Sequence, residues 1–207
     1  MALEIAQPPS QSLQALSAAL PRLAARVGIT SHAPLITRTL EMTTQHPSAL
    51  QVAPVTPVLS SPVFILGLDA IANRIGLAAT RQVFWTHLLP SEGDAVVAAD
   101  VKSDHHEFAA LTQGPHPSAF LQQVRTLQGS PAVEGHSYQL AQLRIPALHV
   151  TAVWLRDKDG NNDIVIPIAP TPPELIAGRS YSMTEFENAL HERSKAVLAE
   201  TDPLKGG

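Results

Sequence analysis

Apolar and polar residues alternate most clearly between Arg144 and Ile168, where two β-rich runs flank a short polar segment. Leu148, Val150, Ala152 and Trp154 share one side of an extended chain, and Ile164, Ile166 and Ile168 repeat with the same period of two. The spacing predicts a β-hairpin. Its connector, residues 157–163, reads Asp-Lys-Asp-Gly-Asn-Asn-Asp. These residues tolerate left-handed backbone or bond to their own main chain, so the reversal has a local cause.

A helical period organises other stretches. Leu13, Leu16, Leu20, Leu23 and Val27 fall on one face of a helix over 10–28, with Ser10 or Ser12 as its cap and Gly28 at its end. Pro21 predicts a kink or a break there. The Leu stripe reads as a face packed on its own domain or as a dimer seam. Two heptads fall short of a coiled coil, which favours the first. Phe64, Leu68, Ile71 and Ile75 predict a helix over 62–76, capped by Ser61 with Pro62 at its first position. Phe120, Leu121, Val124 and Leu127 predict another over 117–128, closed by Gly129. Ser182-Met183-Thr184-Glu185 is a capping box, opening a helix over 182–198 with Met183, Phe186, Ala189, Leu190 and Val197 toward the core.

Between these lie further extended segments. Residues 31–62 hold Pro34, Pro47, Pro54, Pro57 and Pro62 and read as chain running over the surface or along a sheet edge. The runs 82–89 and 95–101 bracket Pro-Ser-Glu-Gly-Asp and predict a second hairpin, the first run alternatively continuing the preceding helix. Residues 138–143 open a strand leading into the central hairpin, and 104–113 carry no clear period. Pro167 cannot donate a ladder bond, which puts its strand at a sheet edge or ends it in a bulge. The whole predicts one α+β domain over 1–199. Its antiparallel sheet, of roughly four to six strands, is built from hairpins and covered on one face by the helices at 62–76, 117–128 and 182–198. The N-terminal helical segment 10–28 packs alongside or mediates a homodimer, and 200–207 form a disordered tail.

Composition narrows the chemistry. Of 207 residues, 44% are apolar but only 4% aromatic, so the core is filled by Ala, Leu, Val and Ile in small pieces. Charged residues are 15%, against roughly 25% in ordinary soluble domains. A net charge of −4, with no stretch concentrating Lys and Arg, argues against nucleic acid as a partner. The lack of cysteine excludes disulfides, thiolate nucleophiles, Fe–S clusters and Cys-ligated zinc. The N-terminal stretch does not read as a secretory signal and no apolar run approaches the ~20 residues of a membrane span. No membrane partner is expected, and the cytoplasm is the expected location.

Asp104-His105-His106-Glu107 is the densest ionisable cluster. Its Asp-His-His triplet is similar to the signature of the DHH phosphoesterases, which implies a manganese site at Asp104, His105 and His106. That family also uses an upstream Asp-x-Asp segment, and nothing before Asp104 supplies it. The chain's end, Leu204-Lys205-Gly206-Gly207, is similar to the Leu-x-Gly-Gly tail of ubiquitin-like modifiers, on a body far larger than that fold. Asp157, Asp159 and Asn161 alternate as in a calcium loop, but Asn162 stands where that loop needs Gly and Ile168 where it needs Glu. A solvated hairpin turn explains them.

No Gly-x-Ser-x-Gly elbow singles out a serine among the Ser, His and Asp available, and no glycine-rich phosphate loop is present. His149 reads as a partly exposed strand residue. Glu187, His191 and Lys195 follow each other by fours and read as an exposed helix face. The expectation is therefore a non-catalytic binding or adaptor protein without a cofactor, recognising a protein or peptide through a sheet edge or a groove between sheet and helix. The alternative is a metal-assisted, hydrolase-like enzyme working through Asp104, His105 and His106.

Overall fold

A computed structural model describes residues 3–27, 56–90, 96–130, 133, 136–158, 160 and 162–201. They hold four α-helices and eight strands of a mixed, mostly antiparallel sheet, an α+β architecture. In chain order these are α1 (Ser10–Val27), β1 (Leu59–Ile65), α2 (Leu68–Ala72), β2 (Arg81–Pro90), β3 (Val96–Lys102), β4 (Phe108–Thr112) and α3 (Pro115–Leu127). Then come β5 (Tyr138–Ile145), β6 (Val150–Asp157), β7 (Ile164–Ile168), β8 (Tyr181–Ser182) and α4 (Met183–Thr201), with 3-10 turns at Gly76–Ala79 and Pro146–Leu148. The chain forms two compact units. One is drawn from Met1–Ala6, Pro62–Val83 and Gln122–Gly207, the other from Gln7–Ser61 and Phe84–Leu121.

In the first unit the central hairpin is present as expected, β6 pairing antiparallel with β7. β5 pairs with β6 along its whole length, while β1 runs parallel to β5. Register decides which side chains share a face. Trp154 stands opposite Ala141 and Val165, whereas Val153 stands opposite Ile166 and Leu155 opposite Ile164. The isoleucine stripe of β7 thus lies on the face away from Trp154. α2 and α4 pack on the Trp154 face, where Phe64, Ile71, Leu143, Ala152, Phe186 and Leu190 form one cluster. Met183, Ala189 and Val197 flank it, as the helical spacing predicts. Leu140, Val153, Leu155 and Ile166 are buried on the other face. Burial in this unit is therefore two-sided, where the pattern suggested cover on one face.

The helix expected over 62–76 is instead a strand followed by a short helix. Val63, Phe64 and Leu66 are all buried, and strands buried on both faces read as continuous apolar runs that periodicity cannot tell from helix. Ile71 does reach the core from α2, but Ile75 is half exposed. Pro167 lies one strand in from the edge. β8 covers only Ile164 and Val165, and beyond it the Pro167 carbonyl accepts the Gly178 N–H at 2.8 Å. His149 is a left-handed cap on the 3-10 turn, φ 53°, and β6 begins after it. The capping box closes as its sequence predicts: Ser182 N–H donates to Glu185 Oε2 at 2.8 Å, and Glu185 N–H to Ser182 Oγ at 3.3 Å.

In the second unit β2, β3 and β4 form an antiparallel set, which includes the expected second hairpin. α1 runs unbroken past Pro21. Its Leu16 and Leu20 pack on Leu89, Val97, Ala99 and Val101. That places this part of the Leu stripe against its own unit. Gly28, most of the proline-rich stretch 31–62, and the tail with its Leu-x-Gly-Gly end lie outside the described residues.

Candidate functional site

Among the described residues three places bring reactive or polar side chains together, and each is built by its local strand geometry. The first is in the second unit. His87 and Ala99 are register partners, so His87 lies on the sheet face that α1 covers. Its Nε2 is 2.8 Å from Ser12 Oγ of α1 and its Nδ1 is 2.9 Å from Ser60 Oγ of β1. A neutral imidazole donates at one nitrogen and accepts at the other, so one serine accepts a hydrogen bond and the other donates one. Thr86, its neighbour, points the other way and donates to Asp100.

A serine beside a histidine invites a catalytic reading. The geometry answers it. His87 is fully buried. A hydrolytic triad would set a carboxylate on its second nitrogen, where this chain has Ser60. Burial also drives the imidazole down to about 4, with Asp100 only partly opposing, too low for a general base near neutrality. The trio is a satisfied polar knot inside a core. Nothing in the flanking sequence marks it, since Ser12 reads equally well as a helix cap.

The second place is the turn between β3 and β4. Asp104 Oδ1 accepts the His105 N–H at 2.8 Å, and Asp104 Oδ2 lies 3.4 Å from His105 Nε2, both side chains being well exposed. His106 has left-handed backbone, φ 50°, and its Nδ1 is buried without a hydrogen bond among the described residues. The turn brings Asp104 and His105 together. Among the described residues no three His, Asp or Glu side chains gather at metal-binding spacing.

The third place is a cleft of about 450 Å³ in the first unit. It opens on the Trp154 face at the hairpin end of β5 and β6. Trp154, Arg156 and Gln139 lie on that strand surface, Leu77, Ala78 and Thr80 come from the 3-10 turn and its end, and Asp157, Lys158, Gly160 and Asp163 come from the hairpin loop. Alternation puts Trp154 and Arg156 on one face, and pairing sets Gln139 opposite Arg156. The Arg156 guanidinium carbon stands 4.6 Å from the Phe64 ring centroid and 5.0 Å from that of Trp154. The two rings meet edge to face at 5.1 Å.

The loop beside it is fastened by its own aspartates. Asp163 accepts the Trp154 indole N–H at 2.9 Å and the Asp157 N–H at 2.7 Å, while Asp157 accepts the Asn162 N–H at 3.1 Å. Of the calcium-like set, Asp157 serves turn closure, and Asp159 and Asn161 lie outside the described residues. Lys158 pairs with Glu4. The sequence reading missed this cleft, although Trp-x-Arg on one strand was its visible trace.

Glu187 and His191 depart from the exposed face expected of them. His191 Nδ1 lies 3.2 Å from the Ile71 carbonyl oxygen. Burial pushes the Glu187 carboxyl up, with Arg74 partly countering. Lys195 alone of the three is exposed, 3.6 Å from Glu192. None of the described helices is long and apolar enough to cross a membrane. Compared with protein-family models, curated proteins and solved structures, the chain matches none.

Proposed function

We propose that this chain is a non-catalytic binding protein for a protein or peptide partner, and that the cleft beside Arg156 is where the partner sits. The observation that supports this reading is the guanidinium laid against two aromatic rings at the mouth of a polar cleft. Arginine is among the side chains that concentrate binding energy in protein contacts. A cleft of this volume takes a few residues of extended chain. The sequence suggests a groove between sheet and helix; this cleft lies between the sheet and a 3-10 turn. The serine–histidine contact at His87 lends no support to hydrolysis, because His87 is fully buried and its second nitrogen meets Ser60 where a triad sets a carboxylate.

The test is selection of a random-peptide display library on the full chain, followed by binding of enriched peptides to Ala78→Trp. Ala78 is exposed on the cleft wall, so an indole there fills the space without entering the core. Enriched peptides should bind the parent chain and lose at least about ten-fold in affinity on the variant. Equal binding to both would remove the cleft from consideration. Stoichiometric transition metal in the purified protein, released by His105→Ala, would turn the case toward metal-assisted chemistry.

A further inference from the structure

We infer that the group recognised at Arg156 is a peptide carboxylate, an inference that rests on the cleft being the binding site. Guanidinium has two apolar faces and an in-plane edge of N–H donors. At Arg156 the Phe64 and Trp154 rings lie at 4.6 and 5.0 Å from the guanidinium carbon. They hold the side chain against the sheet and leave the donor edge for polar partners.

Among the described residues those donors are under-used, the one acceptor being Gln139 Oε1 at a long 3.5 Å. Among the described residues no carboxylate lies within ion-pair range of Arg156. Two carboxylates line the same cleft, but their oxygens are engaged elsewhere. Asp163 serves the indole and the Asp157 N–H, and Asp157 serves the Asn162 N–H. Lys158 has Glu4. A planar two-oxygen acceptor is the shape a guanidinium edge takes bidentately. Gln139, whose oxygen already accepts, keeps its NH2 group to donate beside it.

Charge selects among anions. Among the described residues the lining carries two cations, Arg156 and Lys158, and two carboxylates, Asp157 and Asp163, and Lys158 is paired with Glu4. A single negative charge placed on Arg156 is compensated there. A phosphate dianion or a polyanion would add charge that the two aspartates repel. The occupant is thus a monoanionic carboxylate of a peptide, either its free C-terminus or an acidic side chain.

The experiment titrates the isotope-labelled full chain while following the Trp154 indole N–H resonance, identified as the indole signal that survives Trp85→Phe. The probes are a pool of N-acetylated random tetrapeptides with free C-termini, the same pool amidated, an amidated pool carrying one glutamate, and inorganic phosphate. The free-acid pool should move the resonance saturably, and the plain amidated pool at least about ten-fold more weakly. Arg156→Gln should abolish the response. Arg156→Lys, which keeps charge without the planar fork, should lose most of it and stands in if the first variant does not fold. Recovery with the glutamate pool assigns the site to side-chain carboxylates, and no recovery assigns it to the C-terminus. Equal saturable shifts with acid and amide would overturn the carboxylate while leaving peptide binding standing. A response to phosphate at lower concentration than to the acid pool would overturn it also. Silence with every probe would remove both the carboxylate and the cleft.

Discussion

Asp163 holds Trp154 by its indole nitrogen at 2.9 Å, so a hairpin loop and a core aromatic are joined by one carboxylate. The same side chain accepts the Asp157 N–H. Asp163→Ala leaves both donors without their acceptor, and bonds to a charged group are the stronger kind. A loss of about 3 kcal/mol in stability is expected, read by denaturant unfolding. Trp154 emission should move to the red as the loop loosens. Unchanged stability would mean that the loop closes without the aspartate.

Arg156→Ala removes the guanidinium from Phe64 and Trp154. Contacts of this kind contribute about 1 kcal/mol at partly exposed positions. A stability loss of that size is expected. Arg156→Lys should recover part of it, as an ammonium also meets a ring face. The two variants separate the stabilising role of the charge from the directional role proposed for its N–H edge.

His87 makes stability depend on pH with a definite sign. Burial holds its folded value at about 4, against an unfolded value of 6.5. Below 6.5 the unfolded chain takes up a proton that the folded chain refuses. The contribution is therefore complete above 6.5 and is lost as pH falls toward and through 4, by about 3 kcal/mol in all. Denaturant midpoints taken across that interval should fall steadily. His87→Gln, with no ionisable ring, should flatten this part of the profile.

Ser12→Ala and Ser60→Ala each strip one partner from that imidazole. A buried nitrogen left without a hydrogen bond costs about 1–3 kcal/mol. Both variants should be destabilised, by urea unfolding, although neither serine touches the cleft. Peptide binding should survive in both.

Ser182→Ala opens the capping box of α4. The expected cost is about 1 kcal/mol, seen as a lowered midpoint in thermal unfolding. Ser182→Gly should cost only a few tenths, since water reaches the freed N–H groups.

Elements with strong local causes were readable in the chain. The hairpins carry alternation and a turn-forming connector, and α4 carries a complete capping box with its apolar face. The helix over 62–76 was misread because Phe64, Leu68, Ile71 and Ile75 match a helical period by chance. The strand that replaces it is decided by its pairing with β5 and by burial on both sides. The polar knot could not be read. It joins Ser12, Ser60 and His87 from three separate segments, and no local spacing records such a meeting. The cleft was half readable, since Trp154 and Arg156 share a strand face, but Phe64 comes from a segment read as helix.

The backbone of Glu4 bonds to Tyr138 and Leu140, although from Gln7 onward the chain belongs to the other unit. During synthesis on a ribosome these early residues must wait until β5 emerges before they can dock. The second unit closes its own list of segments sooner, at Leu121. Docking of Glu4 should therefore come late, after the segments of the second unit have been made.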